Sequence, residues 1–149
     1  MKTLEISNMT IKATIFPRPL LKDFLARDEA KRPGVYILHG SLIESGEQPM
    51  LYIGEGDPVS ERLKSHGVNK YFWSEAFVFT SKDEYLTKTQ IKYLESKLID
   101  LVKNAKRATL DNAVNSSVPT ISEVDEAEVQ QFLDAIQLLI RSMNLPFFD

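Results

Sequence analysis

Gly34-Val35-Tyr36-Ile37-Leu38, then Met50-Leu51-Tyr52-Ile53-Gly54, then Asp57-Pro58-Val59-Ser60-Glu61-Arg62-Leu63-Lys64-Ser65-His66: on this stretch the fold turns. Its first two pieces are short β-branched and aromatic runs bounded by Gly and Pro, so each reads as a strand. Between them, His39 to Pro49 holds Gly40, Ser41, Ser45, Gly46 and Pro49 and reads as a hairpin loop. Gly54-Glu55-Gly56 reads as a flexible turn. Asp57 as N-cap and Pro58 at the first helical position then open a helix that runs to about His66 and stops near Gly67. Arg62 and His66 stand four apart and so share one face of that helix.

Upstream, Met9 to Phe16 alternates weakly and reads as an edge strand or an extended arm, ended by Pro17 and Pro19. Leu20 to Ala30 reads as a short helix, broken by Arg32-Pro33-Gly34. Downstream, Ala76 to Thr80 is a third strand, placed centrally because nearly every residue is apolar. Thr87 caps a long helix to about Asn104. Ser122, with Asp125 three residues on, starts a last helix in which Val129, Phe132, Leu133, Ile136, Ile140 and Met143 recur at helical spacing. The division expected is an N-terminal arm and short helix over 1–32, a core over 33–112 and a C-terminal helical extension over 113–149. The apolar end, Leu145-Pro146-Phe147-Phe148-Asp149, either packs or marks a piece of a longer protein.

The 149 residues suffice for one domain with a sizeable core. There is no cysteine, which removes a disulfide framework, a thiolate metal site and a cysteine nucleophile, and suits a reducing cytoplasm. No apolar run approaches the roughly 20 residues of a membrane span, and Met1 to Glu5 does not read as a signal peptide. The net charge of −3 argues against indiscriminate nucleic-acid binding, but charge is unevenly placed. Ser60 to Leu110 carries ten Lys/Arg against six Asp/Glu, and Asp111 to Asp149 one against seven. The middle therefore presents either a modest basic surface or an ordinary solvated helix face.

Among single residues Glu95 is the sharpest signal. Ile91, Leu94, Leu98, Leu101 and Val102 form the apolar stripe of its helix, and Glu95 falls about 40° from Ile91 and about 20° from Val102 at 100° per residue. Either a cation or hydrogen-bond donors meet that carboxylate, or it snorkels at the stripe edge beside Lys92 or Lys88. Arg62 offers a planar fork for phosphate, or pairs with a neighbouring acid. His66 faces the same phosphate, or serves as a C-terminal His favoured by the helix dipole. Tyr36 and Tyr52 are strand aromatics that gain chemical value only together on one face near Arg62. Gly54 fits a close approach to the backbone. No phosphate loop, HExxH or GxSxG competes, and two isolated histidines make no metal site.

The order GVY, YIG, a helix with Arg62, a third strand and a helix with Glu95 resembles the GIY-YIG nuclease family, over Pro33 to Asn112. The runs Tyr52-Ile53-Gly54-Glu55-Gly56-Asp57, Glu61-Arg62-Leu63-Lys64-Ser65-His66 and Phe77-Val78-Phe79-Thr80-Ser81-Lys82-Asp83 resemble a bacterial subgroup in which the nuclease domain is often followed by a small C-terminal domain. Valine replaces the first-motif isoleucine, and the gap of 15 residues between GVY and YIG is longer than the family usually shows. The resemblance implies an α/β (α+β) fold: a small three-stranded, mainly antiparallel sheet flanked by helices, here with an added C-terminal helix. It implies a Mg²⁺- or Mn²⁺-dependent endonuclease acting on DNA in the cytoplasm, with no membrane partner. Tyr36, Tyr52, Arg62 and Glu95 would be catalytic: Tyr36 takes a proton from the attacking water, Tyr52 orients water or phosphate, Arg62 steadies the phosphate, and Glu95 holds the metal. Gly34, Gly54, His66 and a downstream Asn, Asn112 or alternatively Asn104, would support them. The alternative is a non-catalytic nucleic-acid-binding or regulatory module of the same fold.

Overall fold

A computed structural model describes residues 1–6, 9–40, 48–83, 86–112 and 118–149. Among them the strands are β1 (Lys2–Glu5), β2 (Ile11–Pro17), β3 (Gly34–Gly40), β4 (Met50–Gly56), β5 (Glu75–Ser81) and β6 (Thr109–Leu110). They form one mixed sheet of six in the order β1-β2-β5-β3-β4-β6. All neighbours run antiparallel except β4 and β6, which are parallel. This corrects the expected three-stranded sheet; only the broad α/β class agrees.

The three extra strands escaped the expected sheet for different reasons. β2 lies inside the sheet, with Ile11, Ala13, Thr14, Ile15 and Phe16 all buried, so the alternation that marks a half-exposed strand is absent. The segment expected as an edge or arm is therefore interior, and β1 takes the edge. β1 is mostly exposed and β6 is two residues long, too short to carry a period. Gly54-Glu55-Gly56 is not a turn. It completes β4, each residue paired across to Tyr36, Val35 and Gly34.

The helices are α1 (Leu21–Leu25), α2 (Ser60–Asn69), α3 (Lys88–Ala105) and α4 (Glu123–Ser142). α2 starts later than Asp57-Pro58 suggests, with Val59 at the N-cap, because the chain first bends to donate Val59 N–H to Arg32 O at 2.8 Å. It also runs through Gly67, which is buried where a side chain would strike Leu21. Thr87 and Gln90 form a reciprocal capping box that starts α3, and Ser122 Oγ accepts from Asp125 N–H to start α4.

Two cores lie on opposite faces of the sheet. α1 and α2 cover Phe16, Tyr36, Leu38 and Val78 with Phe24, Val59, Leu63 and Trp73. α3 and α4 cover Val35, Ile37, Ile53 and Phe79 with Ile91, Leu94, Leu98, Phe132 and Ile136. The apolar C-terminal end is packed: Phe147 is fully buried against His39 and Phe77. Residues 41–47, most of the expected hairpin loop, lie outside the described residues.

Candidate active site

β4 supplies the frame of the site. β6 pairs only with Met50 and Leu51, so the strand beyond them has no strand partner on that side among the described residues. The Asn112 side chain covers the next residue. Its Oδ1 accepts from Ile53 N–H at 3.0 Å and its Nδ2 donates to Ile53 O at 2.7 Å. Asn112 thus acts as one more strand residue in side-chain form and pins Ile53 between Tyr52 and Gly54. Asn104, the alternative, is exposed near the end of α3.

Tyr36 lies on β3 directly opposite Gly54. A Cβ at position 54 would overlap Tyr36 Cζ and OH, so the glycine leaves the space that the phenol ring crosses. Gly34 is constrained in the same way, since a Cβ there would approach Phe79 O to 2.6 Å. The Tyr36 ring is fully buried, and its OH reaches 2.7 Å from His66 Nδ1. Tyr52 stands beside both, its ring centroid 6.3 Å from that of Tyr36 and 4.8 Å from the His66 imidazole, edge-on. The α2 face that carries His66 also carries Arg62, one turn earlier.

The charges around these rings explain how they ionise. Burial pushes the Tyr36 phenol far above its ordinary value, helped by Tyr52 and Glu95 and opposed by Arg62. Tyr52 is raised for similar reasons. Burial lowers His66, and the nearby Lys70 and Arg62 lower it further. With Tyr36 protonated and His66 neutral, the phenol donates to Nδ1 when the imidazole proton sits on Nε2. Glu95 is half-buried, and its carboxyl is pushed up to about 7, first by burial and then by the neighbouring Glu55. Arg62 and Lys92 pull it back only in part.

Arg62 is exposed and, among the described residues, makes no ion pair. Half-buried Glu95 makes none either, though Lys92 lies near enough to act on its charge. Arg62 thus lacks the acid partner of the bland reading. Tyr36, Tyr52, His66 and Arg62 approach from the α2 side of the sheet. Glu95 comes from α3, on the other side of the sheet, and its charge acts on both phenols.

Two residues were missed in the sequence. Lys70, just past α2, sits over the Tyr52 ring at 4.4 Å and pairs with Asp111 at 2.9 Å. Its spacing of four from His66 was a usable signal, hidden by the expected stop at Gly67. Glu55 was read as part of a turn and is instead a nearly buried strand residue. No group of three or more His, Asp or Glu that could hold a metal gathers among the described residues; the acids near this edge are Glu55, Glu95 and Asp111, the last paired with Lys70. A separate cavity of about 210 Å³ lies between α3 and α4, lined by Thr10, Leu86, Gln90, Phe132 and others. It offers no cation to a phosphate, and the phenol, imidazole and guanidinium groups direct attention to the β4 edge instead.

No helix among the described residues is long and apolar enough to cross a membrane. No protein-family model, curated protein or solved structure matches the chain.

Proposed function

We propose that the chain is a GIY-YIG-type endonuclease that hydrolyses DNA phosphodiester bonds with one Mg²⁺ or Mn²⁺, in the cytoplasm. The observation that carries this reading is the close packing of Tyr36, Tyr52 and His66 on the face that bears Arg62, with the charge of Glu95 acting on both phenols and, among the described residues, no ion pair on Glu95. A half-buried acid raised to about 7 is an unfavourable arrangement by itself, and a hard divalent cation relieves it. When bound, such an ion offsets phosphate charge and acidifies a bound water.

The chain's own groups supply the rest. Glu95 holds the cation. The Arg62 fork grips the non-bridging oxygens and favours the charge that builds up on them. Tyr52 orients the phosphate or the attacking water. Tyr36 is too hard to ionise to stand ready as a phenolate. It serves as a relay, taking a proton from the attacking water while passing its own to His66 Nδ1. That refines the simpler role of direct base.

The net charge of −3 favours one rival, a nucleic-acid-binding module that does not cut. Incubation with supercoiled, linear, branched and single-stranded DNA, with Mg²⁺, Mn²⁺ or EDTA, separates the two. Cleavage that EDTA stops supports the nuclease. Binding without cleavage of any substrate, with either ion, supports the rival.

A further inference from the structure

Glu55 has no part in the chemistry described so far, yet its placement needs a reason. It is only 8% exposed, and among the described residues its carboxylate makes neither a hydrogen bond nor an ion pair. Buried acids elsewhere in this chain are satisfied, as Glu29 is by Lys12 and Arg27. Its stem is covered while its carboxylate, unpartnered among the described residues, is not sealed from solvent, so it is open to a cation from outside the chain.

The strand geometry shows which way it faces. Side chains alternate along β4, so Tyr52 and Gly54 point to the α2 side. Leu51, Ile53 and Glu55 point to the α3 side, where Leu51 and Ile53 pack with Ile91, Leu94 and Leu98. Glu95 projects from that same helix, and Glu55 is its principal electrostatic neighbour after burial itself. Glu55 also acts on Tyr36 and Tyr52, which places its charge among the reacting groups. The main chain adds a further donor. Ile53 turns its N–H and C=O outward to Asn112, and Leu51 turns its C=O outward to Asp111 N–H at 2.7 Å. By the same alternation Glu55 turns its carbonyl to the open edge.

We propose that Glu55 is a second protein ligand of the divalent cation, its carboxylate binding directly or through one water from the side opposite Glu95. A hard cation that takes only oxygen donors and keeps several waters suits two neighbouring carboxylates, one from β4 and one from α3, on the same side of the sheet. The proposal rests on the metal-dependent reading above and adds to it the specific ligand set.

Mn²⁺ titration of the full chain without DNA tests it, by calorimetry and by electron paramagnetic resonance of free Mn²⁺. The proteins are the parent, Glu55→Gln, Glu55→Asp, Glu95→Gln and the double Gln variant, each checked for fold by circular dichroism. The expected result is one site in the parent, weakened at least tenfold by either single Gln change. The double variant should lose little more than the worse single one, because both acids serve one ion. Glu55→Asp retracts the carboxylate and should fall between parent and Gln; this arm decides if the Gln variant does not fold. Parent-like Mn²⁺ affinity in Glu55→Gln or Glu55→Asp, with Glu95→Gln impaired, overturns the Glu55 assignment and leaves the metal reading intact. No Mn²⁺ binding by the parent, or unimpaired binding by Glu95→Gln, overturns both.

Discussion

Glu29 and Glu95 are acids withdrawn from water in two regions of one molecule, and their surroundings treat them in opposite ways. Glu29 lies beside β2, in a 3₁₀ turn before β3. Burial alone would raise its carboxyl, but hydrogen bonds from Arg27 and Lys12 outweigh it and hold it near 2. Arg27 Nε donates at 3.0 Å and Lys12 Nζ at 2.5 Å. Glu95 receives no such donors among the described residues, and its carboxyl rises to about 7. One acid is complete within the chain and serves the fold. The other has no partner among the described residues, the gap that the proposed cation would fill. The difference argues for function more directly than exposure or burial alone, since burial is common to both.

The sharpest way to break this contrast is at Gly54. Gly54→Ala drives a methyl into the Tyr36 ring and displaces the hydroxyl from His66. Cleavage should fall more than about 100-fold, as expected for misplaced reacting groups, and thermal stability should drop as well. Unchanged cleavage would remove Tyr36 from the chemistry. Arg62→Lys is next. A rate loss of well over tenfold is expected, since an ammonium cannot reproduce the fork, while the melting temperature stays put because Arg62 is exposed. Equal rates would make Arg62 a surface residue.

The two glutamates should also give opposite pH signatures in unfolding experiments run in chelator. Glu29 has its folded value lowered to about 2 from an ordinary 4.5. Its contribution is therefore present above about 4.5 and lost as pH falls through 2. Glu29→Gln should cost about 2 kcal/mol at pH 7, with the gap to the parent closing in acid and cleavage unaffected. Glu95 has its folded value raised to about 7 from 4.5, so its protonated form favours the fold. That advantage is present below 4.5 and lost as pH rises through 7. Glu95→Gln should match the parent at pH 4 and exceed it at pH 8, by denaturant midpoint. Parallel pH curves for the two variants would erase the distinction. The smallest effect belongs to Lys70→Ala, which frees Tyr52 and Asp111. A few-fold rise in the DNA concentration needed for half-maximal rate is expected, with little change in the maximal rate.

The same contrast shows what the sequence could reveal. β3, the first half of β4, β5, α3 and α4 were legible, because periodicity and caps are local signals: Thr87 with Gln90 and Ser122 with Asp125 act within four residues. β2 was legible only as an edge strand or arm, since its place inside the sheet depends on pairing, and β1 and β6 were not legible, because short edge strands have no period. Glu95 stood out, because a charge in an apolar stripe breaks a pattern. Glu55 did not, because Gly54 and Gly56 beside it imitate a turn, and only pairing with Val35 shows a strand. Glu29 drew no attention, since one of its two partners, Lys12, comes from β2, 17 residues away, while only Arg27 is local. Long-range pairing decides which acid is satisfied, and sequence spacing does not carry it.

A nuclease of the proposed kind needs Glu95 for metal-dependent cutting. Supercoiled plasmid is incubated with parent or Glu95→Gln protein, in Mn²⁺ and in EDTA, and nicking is read on a gel beside DNA retention by filter binding. The account predicts nicking by the parent in Mn²⁺ only, and a Glu95→Gln protein that is folded, still retains DNA and does not nick. Equal nicking by Glu95→Gln, or nicking by the parent that persists in EDTA, would contradict it.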